Sequence, residues 1–222
     1  LTMHTSHYIL LGPPGSGKST QAELLKKTFR LTHVDIGSEL RAASEKDTEL
    51  GREINHIIND RKELVPDSIV GKVLESILRD MPEDQGVLID GAPRRLSQID
   101  EVLDALQLFG REISGVIFIE LSEKESVERI SRRFLCFGCH RPYILGKDTA
   151  IETGTCPVCG GKIGQRKDDT PEGVRKRFQV FHTDTLPVIA HFEEKGLLIR
   201  IDGHQTSEEI SGEIMRKIQA KN

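Results

Sequence analysis

The 222-residue sequence lacks a surplus of positive charge. Lys and Arg total 31 against 35 Asp and Glu, a net charge of −4 with a pI near 6.1, so no global positive field exists to hold a polyanion such as duplex DNA. It also lacks a long hydrophobic run: the longest N-terminal apolar stretch, Tyr8 to Leu11, is far too short to span a bilayer or act as a targeting segment. No internal repeat and no low-complexity tract is present. With 36% hydrophobic and 30% charged residues and a mean hydropathy of −0.35, the expectation is a soluble, cytoplasmic globular chain without membrane or nucleic-acid partners. The length suits one core domain carrying inserted modules. Cysteine is scarce too, at four, and in a reducing compartment a compact quartet points to metal before disulfides.

What is present alternates short β-type runs with longer helical stretches, the pattern of an α/β fold with a parallel sheet covered on both faces. His7–Leu11, Thr32–Ile36, Val87–Asp90, Val116–Leu121 and Leu197–Ile201 read as five buried strands. Helical patterns lie at 17–29, 38–44, 50–59, 67–80, 97–109, 124–133, 171–194 and 207–220, the long one opened by Thr170-Pro171, an N-cap followed by proline at the first helical position. Two regions break the rhythm. Residues 38–81 pack three helical patterns between two strands, more than a crossover needs, and read as a helical insert. Residues 134–167 hold all four cysteines, are rich in glycine, lack helical periodicity and read as an inserted lid. Residues 1–37, 82–133 and 168–222 then form the core.

Gly12-Pro-Pro-Gly15-Ser16-Gly17-Lys18-Ser19 fits G-x-x-x-x-G-K-[ST], directly after a strand and before a helix. Such a loop is a phosphate cradle, because consecutive N–H groups and the positive end of the helix wrap the phosphates. Lys18 reaches the β/γ-phosphates and the Ser19 hydroxyl ligates Mg²⁺. Asp90, at the end of Val87-Leu-Ile-Asp90, is the acidic partner such a Mg²⁺ site expects. Phosphoryl transfer also requires positive charge around the moving group, which directs attention to Arg94, Arg129, Arg133, Arg166 and Arg177; Arg129 and Arg133 stand four apart, on one face of the expected helix.

Cys136-x-x-Cys139 and Cys156-x-x-Cys159 are two hooks separated by sixteen residues, the spacing of a structural Zn²⁺ site, with iron an alternative in the same thiolate cage. Four cysteine ligands leave no open position, so the metal's part is structural. A module of this size cannot bury enough apolar surface to hold its own shape, and one Zn²⁺ per chain would staple it.

Taken in order, Gly12 through Gln21, Gly37-Ser-Glu-Leu-Arg41, Leu64-Val-Pro-Asp67, Asp90-Gly-Ala-Pro-Arg94 with Gln98, Glu128-Arg129 through Arg133, and Arg166-Lys-Asp-Asp169 with Arg177 resemble the adenylate kinase family, in its zinc-bearing, long-lid branch, from about His7 onward. The resemblance implies a P-loop NTPase core with a five-stranded parallel sheet, a helical insert for the nucleoside monophosphate and a zinc-stapled lid. It implies that Gly15, Ser16, Gly17, Lys18, Ser19 and Thr20 bind ATP phosphates, with Arg133 on the phosphates, Arg129 near the adenine, and Tyr143 and Gln205 near the base or ribose. On the AMP side it implies Ile36, Arg41, Glu63, Leu64, Val65, Gly91, Arg94, Gln98, Arg166 and Arg177, with Gln98 reading the adenine edge. Catalysis would rest on Lys18, Arg94, Arg133, Arg166 and Arg177, and the chain would be a monomer.

Three departures from the family pattern cluster on the acceptor side. Ile36 stands where a threonine is usual, Ala92 replaces phenylalanine, and Lys62-Glu63 interrupts the usual Gly-x-Leu-Val stretch with an added residue. Loss of the hydroxyl and of the ring could each cost about 1–3 kcal/mol. The expected reaction is Mg²⁺-dependent, reversible transfer of the ATP γ-phosphoryl group to AMP, giving two ADP. CMP, UMP or GMP as acceptor is the alternative; a nucleotide-gated zinc ribbon is a further one, against which the lid's few aromatics, Phe134, Phe137 and Tyr143, make a thin stacking platform.

Overall fold

Short aliphatic strands buried on both faces can only be housed between two layers of helices. The computed structural model describes residues 5–61, 65–139, 141–166 and 169–221. Its first part runs β1 (His7–Leu11), α1 (Lys18–Phe29), β2 (Leu31–Asp35), α2 (Ile36–Ser44), α3 (Glu49–Asn55), α4 (Asp67–Arg79), β3 (Gly86–Asp90), α5 (Gln98–Leu108), β4 (Gly115–Glu120) and α6 (Glu123–Ser131). The cysteine-rich segment follows as β5 (Arg133–Cys136), β6 (Pro142–Ile144), α7 (Ala150–Thr153) and β7 (Ile163–Gly164). The chain then returns through α8 (Pro171–Val180), α9 (Leu186–Glu194), β8 (Leu198–Asp202) and α10 (Ser207–Lys221).

The main sheet has the order β2-β3-β1-β4-β8, parallel throughout. Alternation along the strands divides the core in two. Ile9, Leu11, Val87, Ile89, Val116 and Phe118 face a cluster shared with α2, α3, α4, α5 and α9; Tyr8, Leu10, Leu88, Ile117 and Ile119 face Ala22 and Leu25 of α1 and Ile210, Ile214 and Ile218 of α10. β1 is central, so the loop after it opens at the carboxyl edge between its two neighbours, where open α/β sheets bind ligands.

All five expected strands are present, with β2, β4 and β8 each displaced by one residue. At β2 the cause is Asp35: its carboxylate accepts the Ser38 N–H as the N-cap of α2, so the chain turns before Ile36. The long helical pattern at 171–194 divides into α8 and α9 around a π-helical turn, Phe181–Thr185; Pro187 has no N–H with which to continue the ladder. A second π turn, His56–Arg61, continues α3. The apolar face of the 38–81 segment is continuous with the main core through Leu40, Ile54, Val70, Leu74 and Leu78.

Two expectations change. The segment at 134–167 carries a three-stranded antiparallel sheet, β6-β5-β7, and the short α7. Helix α6 ends at Ser131, and Arg133 is the first residue of β5, paired with Ile144, so Arg129 and Arg133 do not share a helix face. Pairing of Arg133, Phe134 and Leu135 with β6 takes precedence over the helical spacing. No helix of the described residues is long and apolar enough to cross a membrane.

Candidate active site

The loop between β1 and α1 is shaped by close approach. A Cβ on Gly12 would lie 2.6 Å from Ser16 Oγ and 2.7 Å from the Ile119 carbonyl, and Gly17 caps α1 at φ 91°, in the left-handed region. Ser16 is fully buried, and its Oγ has no hydrogen-bond partner among the described residues. Lys18 Nζ donates to the Gly12 and Pro13 carbonyls at 2.7 and 3.0 Å. Burial lowers its pKa, Asp90 and Asp35 oppose that, and Arg94 and Arg133 add to it. The five charges that act on one another here come from the loop, two strand ends, the turn after β3 and the first residue of β5. Asp90 is buried, with His33 Nε2 at 3.6 Å from Oδ2; it and the exposed Ser19 hydroxyl are the oxygen donors suited to Mg²⁺.

Beside the loop lies a cleft of about 290 Å³ lined by Ile36, Arg41, Val65, Gly91, Arg94, Arg95, Gln98 and Arg166, among others. The turn after β3 supplies much of it: Arg94 Nε donates to the Gly91 carbonyl at 2.9 Å, while its backbone N–H donates to Gln98 Oε1 at 2.8 Å. Arg41 reaches Ser38 Oγ, which in turn donates to Asp35 Oδ2. Burial lowers the pKa of Arg94, Asp90 and Asp35 counter it, and Arg41 and Arg166 lower it further. Guanidinium groups that repel one another across a cleft mark a place for an anion. Ile36 and Ala92 are both buried, and Ile36 contributes an apolar wall. Glu63 and Leu64, as well as Lys62, lie outside the described residues.

Two further arginines share one carboxylate. Asp169 Oδ1 accepts from an Nη of Arg133 at 2.8 Å and of Arg177 at 2.9 Å, and its Oδ2 accepts Arg133 Nε at 3.2 Å. The Asp169 side chain is 0% exposed, against 25% for Arg133 and 28% for Arg177. The buried carboxylate therefore fixes the orientation of both guanidiniums. Helix α8, started by the Thr170 N-cap and Pro171, brings Arg177 to Asp169.

In the lid the four Sγ atoms lie within 4.8 Å of one another, and no disulfide joins them. Cys136–Cys159 and Cys139–Cys156 are 3.4 and 3.7 Å apart, close to the ~3.8 Å edge of a tetrahedron with 2.3 Å metal–sulfur bonds. The Gly138 and Cys139 N–H groups donate to Cys136 Sγ, stabilising a thiolate. This donor set fits Zn²⁺ or iron. The lid's apolar cluster is separate from the main core and small, with Cys136, Tyr143, Cys156 and Ile163 at its centre.

Three residues that the resemblance assigns to ATP have side-chain partners within the protein. Tyr143 is buried in the lid, its hydroxyl 3.0 Å from Cys156 Sγ, an interaction that holds the thiol at about pKa 6 and pushes the phenol up to about 12. It pairs with Phe134 across β5 and β6, which turns its ring into the cysteine cluster. Gln205 donates to Glu213 Oε2 on α10. Arg129 donates to Glu125 on its own helix. Sequence reasoning gave no role to Asp35, Asp67, Arg95 or the carboxylate of Asp169. Asp169 had a local signal, as an acid between Arg166 and a helix cap, and so had Asp35, as the N-cap three residues before Ser38; Asp67 and Arg95 act through partners distant in sequence.

The family model for adenylate kinase matches residues 10–197. Proteins named adenylate kinase from Dehalococcoides mccartyi, Caldicellulosiruptor bescii and Petrotoga mobilis are 39, 36 and 36% identical to it, over 95, 95 and 96% of this chain and 97, 97 and 98% of theirs. With the phosphate loop, the arginine-lined cleft and the four-cysteine lid on one parallel sheet, the chain belongs to the adenylate kinase family.

Proposed function

We propose that the chain transfers the ATP γ-phosphoryl group reversibly to AMP, giving two ADP, as a cytoplasmic monomer. The observation that carries this is electrostatic: Lys18 of the loop is coupled to Arg94 of the cleft and to Arg133 of the bridging pair, so donor and acceptor phosphates would meet among all three. The loop amides from Gly15 to Thr20 would hold the ATP phosphates and exchange the Lys18 contacts with Gly12 and Pro13 for phosphate oxygens. Arg41 and Arg94 would hold the AMP phosphate, with Gln98 on the adenine and Ile36 and Val65 against it. Arg133, Arg166 and Arg177 would neutralise charge on the group in flight. Mg²⁺, held through Ser19 and Asp90, supplies charge neutralisation when bound. No covalent intermediate and no strong base is required, because positioning and charge carry the rate.

The lid would bind one structural Zn²⁺ through Cys136, Cys139, Cys156 and Cys159, and move as one body to exclude water, the competing acceptor. The test is ADP formation from ATP with AMP, CMP, UMP or GMP in turn. AMP is expected to exceed every other acceptor at least tenfold in kcat/KM; a tenfold preference for another acceptor refutes the assignment.

A further inference from the structure

Gln98 is the base reader of the proposed acceptor site, and an amide can serve that purpose only if its two ends are told apart. Flipped by 180°, a glutamine exchanges a lone pair for an N–H at nearly the same position. Adenine offers a donor, N6–H, beside an acceptor; guanine offers the acceptor O6 in place of N6. The flip state therefore decides between the two purines.

In this protein both ends of the amide are tied to groups of unambiguous polarity. Gln98 Oε1 accepts from the backbone N–H of Arg94 at 2.8 Å, which can only donate. Gln98 Nε2 donates to Asp67 Oδ1 at 2.8 Å, and a carboxylate can only accept. The carboxylate is itself held: Oδ1 also receives an Nη of Arg95 at 3.1 Å, and Oδ2 receives the Ser97 hydroxyl. Arg95 is anchored in turn on the Val65 carbonyl at the cleft wall. Reversal of the amide would set two donors against each other at Arg94 and two acceptors at Asp67, at a residue only 4% exposed.

We propose that Asp67 is a positioning residue that sets acceptor-base selectivity, by holding the Gln98 amide in the flip state that accepts adenine and rejects guanine. Each amide atom retains one free position, a lone pair on Oε1 and an N–H on Nε2. These accept N6–H and donate to the neighbouring ring nitrogen of adenine. Against guanine the same orientation sets Oε1 against O6. The inference rests on the AMP-acceptor reading and deepens it.

The experiment compares full-length wild type with Asp67→Asn. Asparagine keeps the size of Asp67 and its place at the start of α4, but can present either an oxygen or an NH₂ to Gln98, so one of the two locks is removed. kcat/KM is measured for AMP and GMP at saturating ATP, with KM for ATP as a control. The AMP:GMP ratio is expected to fall at least tenfold, about 1.4 kcal/mol, through a higher KM for AMP and a gain on GMP, while KM for ATP stays within twofold. A fall of less than tenfold, or a parallel loss on both acceptors as a merely structural role predicts, overturns the inference. Should Asp67→Asn fail to fold, Asp67→Ala, which removes the acceptor facing Gln98 Nε2 altogether, is compared by the same tenfold criterion. A wild type that does not prefer AMP would instead overturn the acceptor reading, before any variant is compared.

Discussion

Replacing Asp169 by asparagine should separate the stabilising from the catalytic use of one carboxylate. The side chain is 0% exposed and accepts from Arg133 Nε, from one Arg133 Nη and from one Arg177 Nη. Asparagine preserves the volume, keeps one acceptor oxygen and turns an NH₂ toward a guanidinium. Charge-assisted hydrogen bonds contribute about 1.5–3 kcal/mol each, and breaking a fully buried pair costs about 3–5 kcal/mol. Here both arginines are about a quarter exposed and can turn to water, so we expect a loss of about 2–3 kcal/mol, or roughly 5–10 °C in Tm for a chain of this size. The catalytic cost should be larger than that loss implies. Two guanidiniums lose their fixed orientation, and removal of a single preorganised donor typically lowers kcat by about 10²–10³. Asp169→Asn is therefore expected to lower kcat at least 100-fold, with KM for ATP and AMP within about threefold, in a coupled assay of ADP formation well below its Tm. A variant destabilised as calculated, with kcat within tenfold of wild type, would show that the carboxylate only holds α8 to β5, and the positioning argument would fail.

The lid's separate apolar cluster is too small to fold alone, so chelation under reducing conditions should release one metal per chain and lower Tm by at least about 5 °C; mass-spectrometric metal analysis and a thermal melt check this, and metal-free protein with an unchanged melt refutes it. His7 has its pKa lowered from 6.5 to about 4, by burial first and Arg111 second. Its folded form stays neutral where the unfolded chain is protonated, so stability is complete above pH 6.5 and falls as pH drops toward 4. The loss should be about 2 kcal/mol after allowance for solvent screening, and denaturant titrations of His7→Gln between pH 4 and 7 should lack that component.

How far the molecule could be read beforehand depended on the range of the interactions. The strands, the loop at Gly12 and the two cysteine hooks are local patterns, in which periodicity, glycine placement and ligand spacing each act over a few residues. Arg133 was misplaced because i,i+4 spacing is also compatible with a strand, and only pairing with residues 142–144 decides between them. The nucleotide contact expected of Tyr143 rests on resemblance alone, and its hydroxyl meets Cys156 Sγ, 13 positions on. Asp67 bonds Gln98 across 31 positions and Asp169 bonds Arg133 across 36, and no local pattern carries either partnership.

Those long-range carboxylates give the net charge of −4 a specific meaning. Arg41, Arg94 and Arg166 repel one another across the cleft, and Arg133 and Lys18 stand close by; without counter-charge such a group would spread toward solvent. Asp35 and Asp90, at the ends of β2 and β3, oppose that repulsion, and Asp169 holds Arg133. Asp35 does so while capping α2, and its Ser38 contact carries on to Arg41. Asp169 is wholly buried while its two arginines keep a quarter of their surface open. Acids that hold the cations in position leave little reorganisation for the moment of transfer.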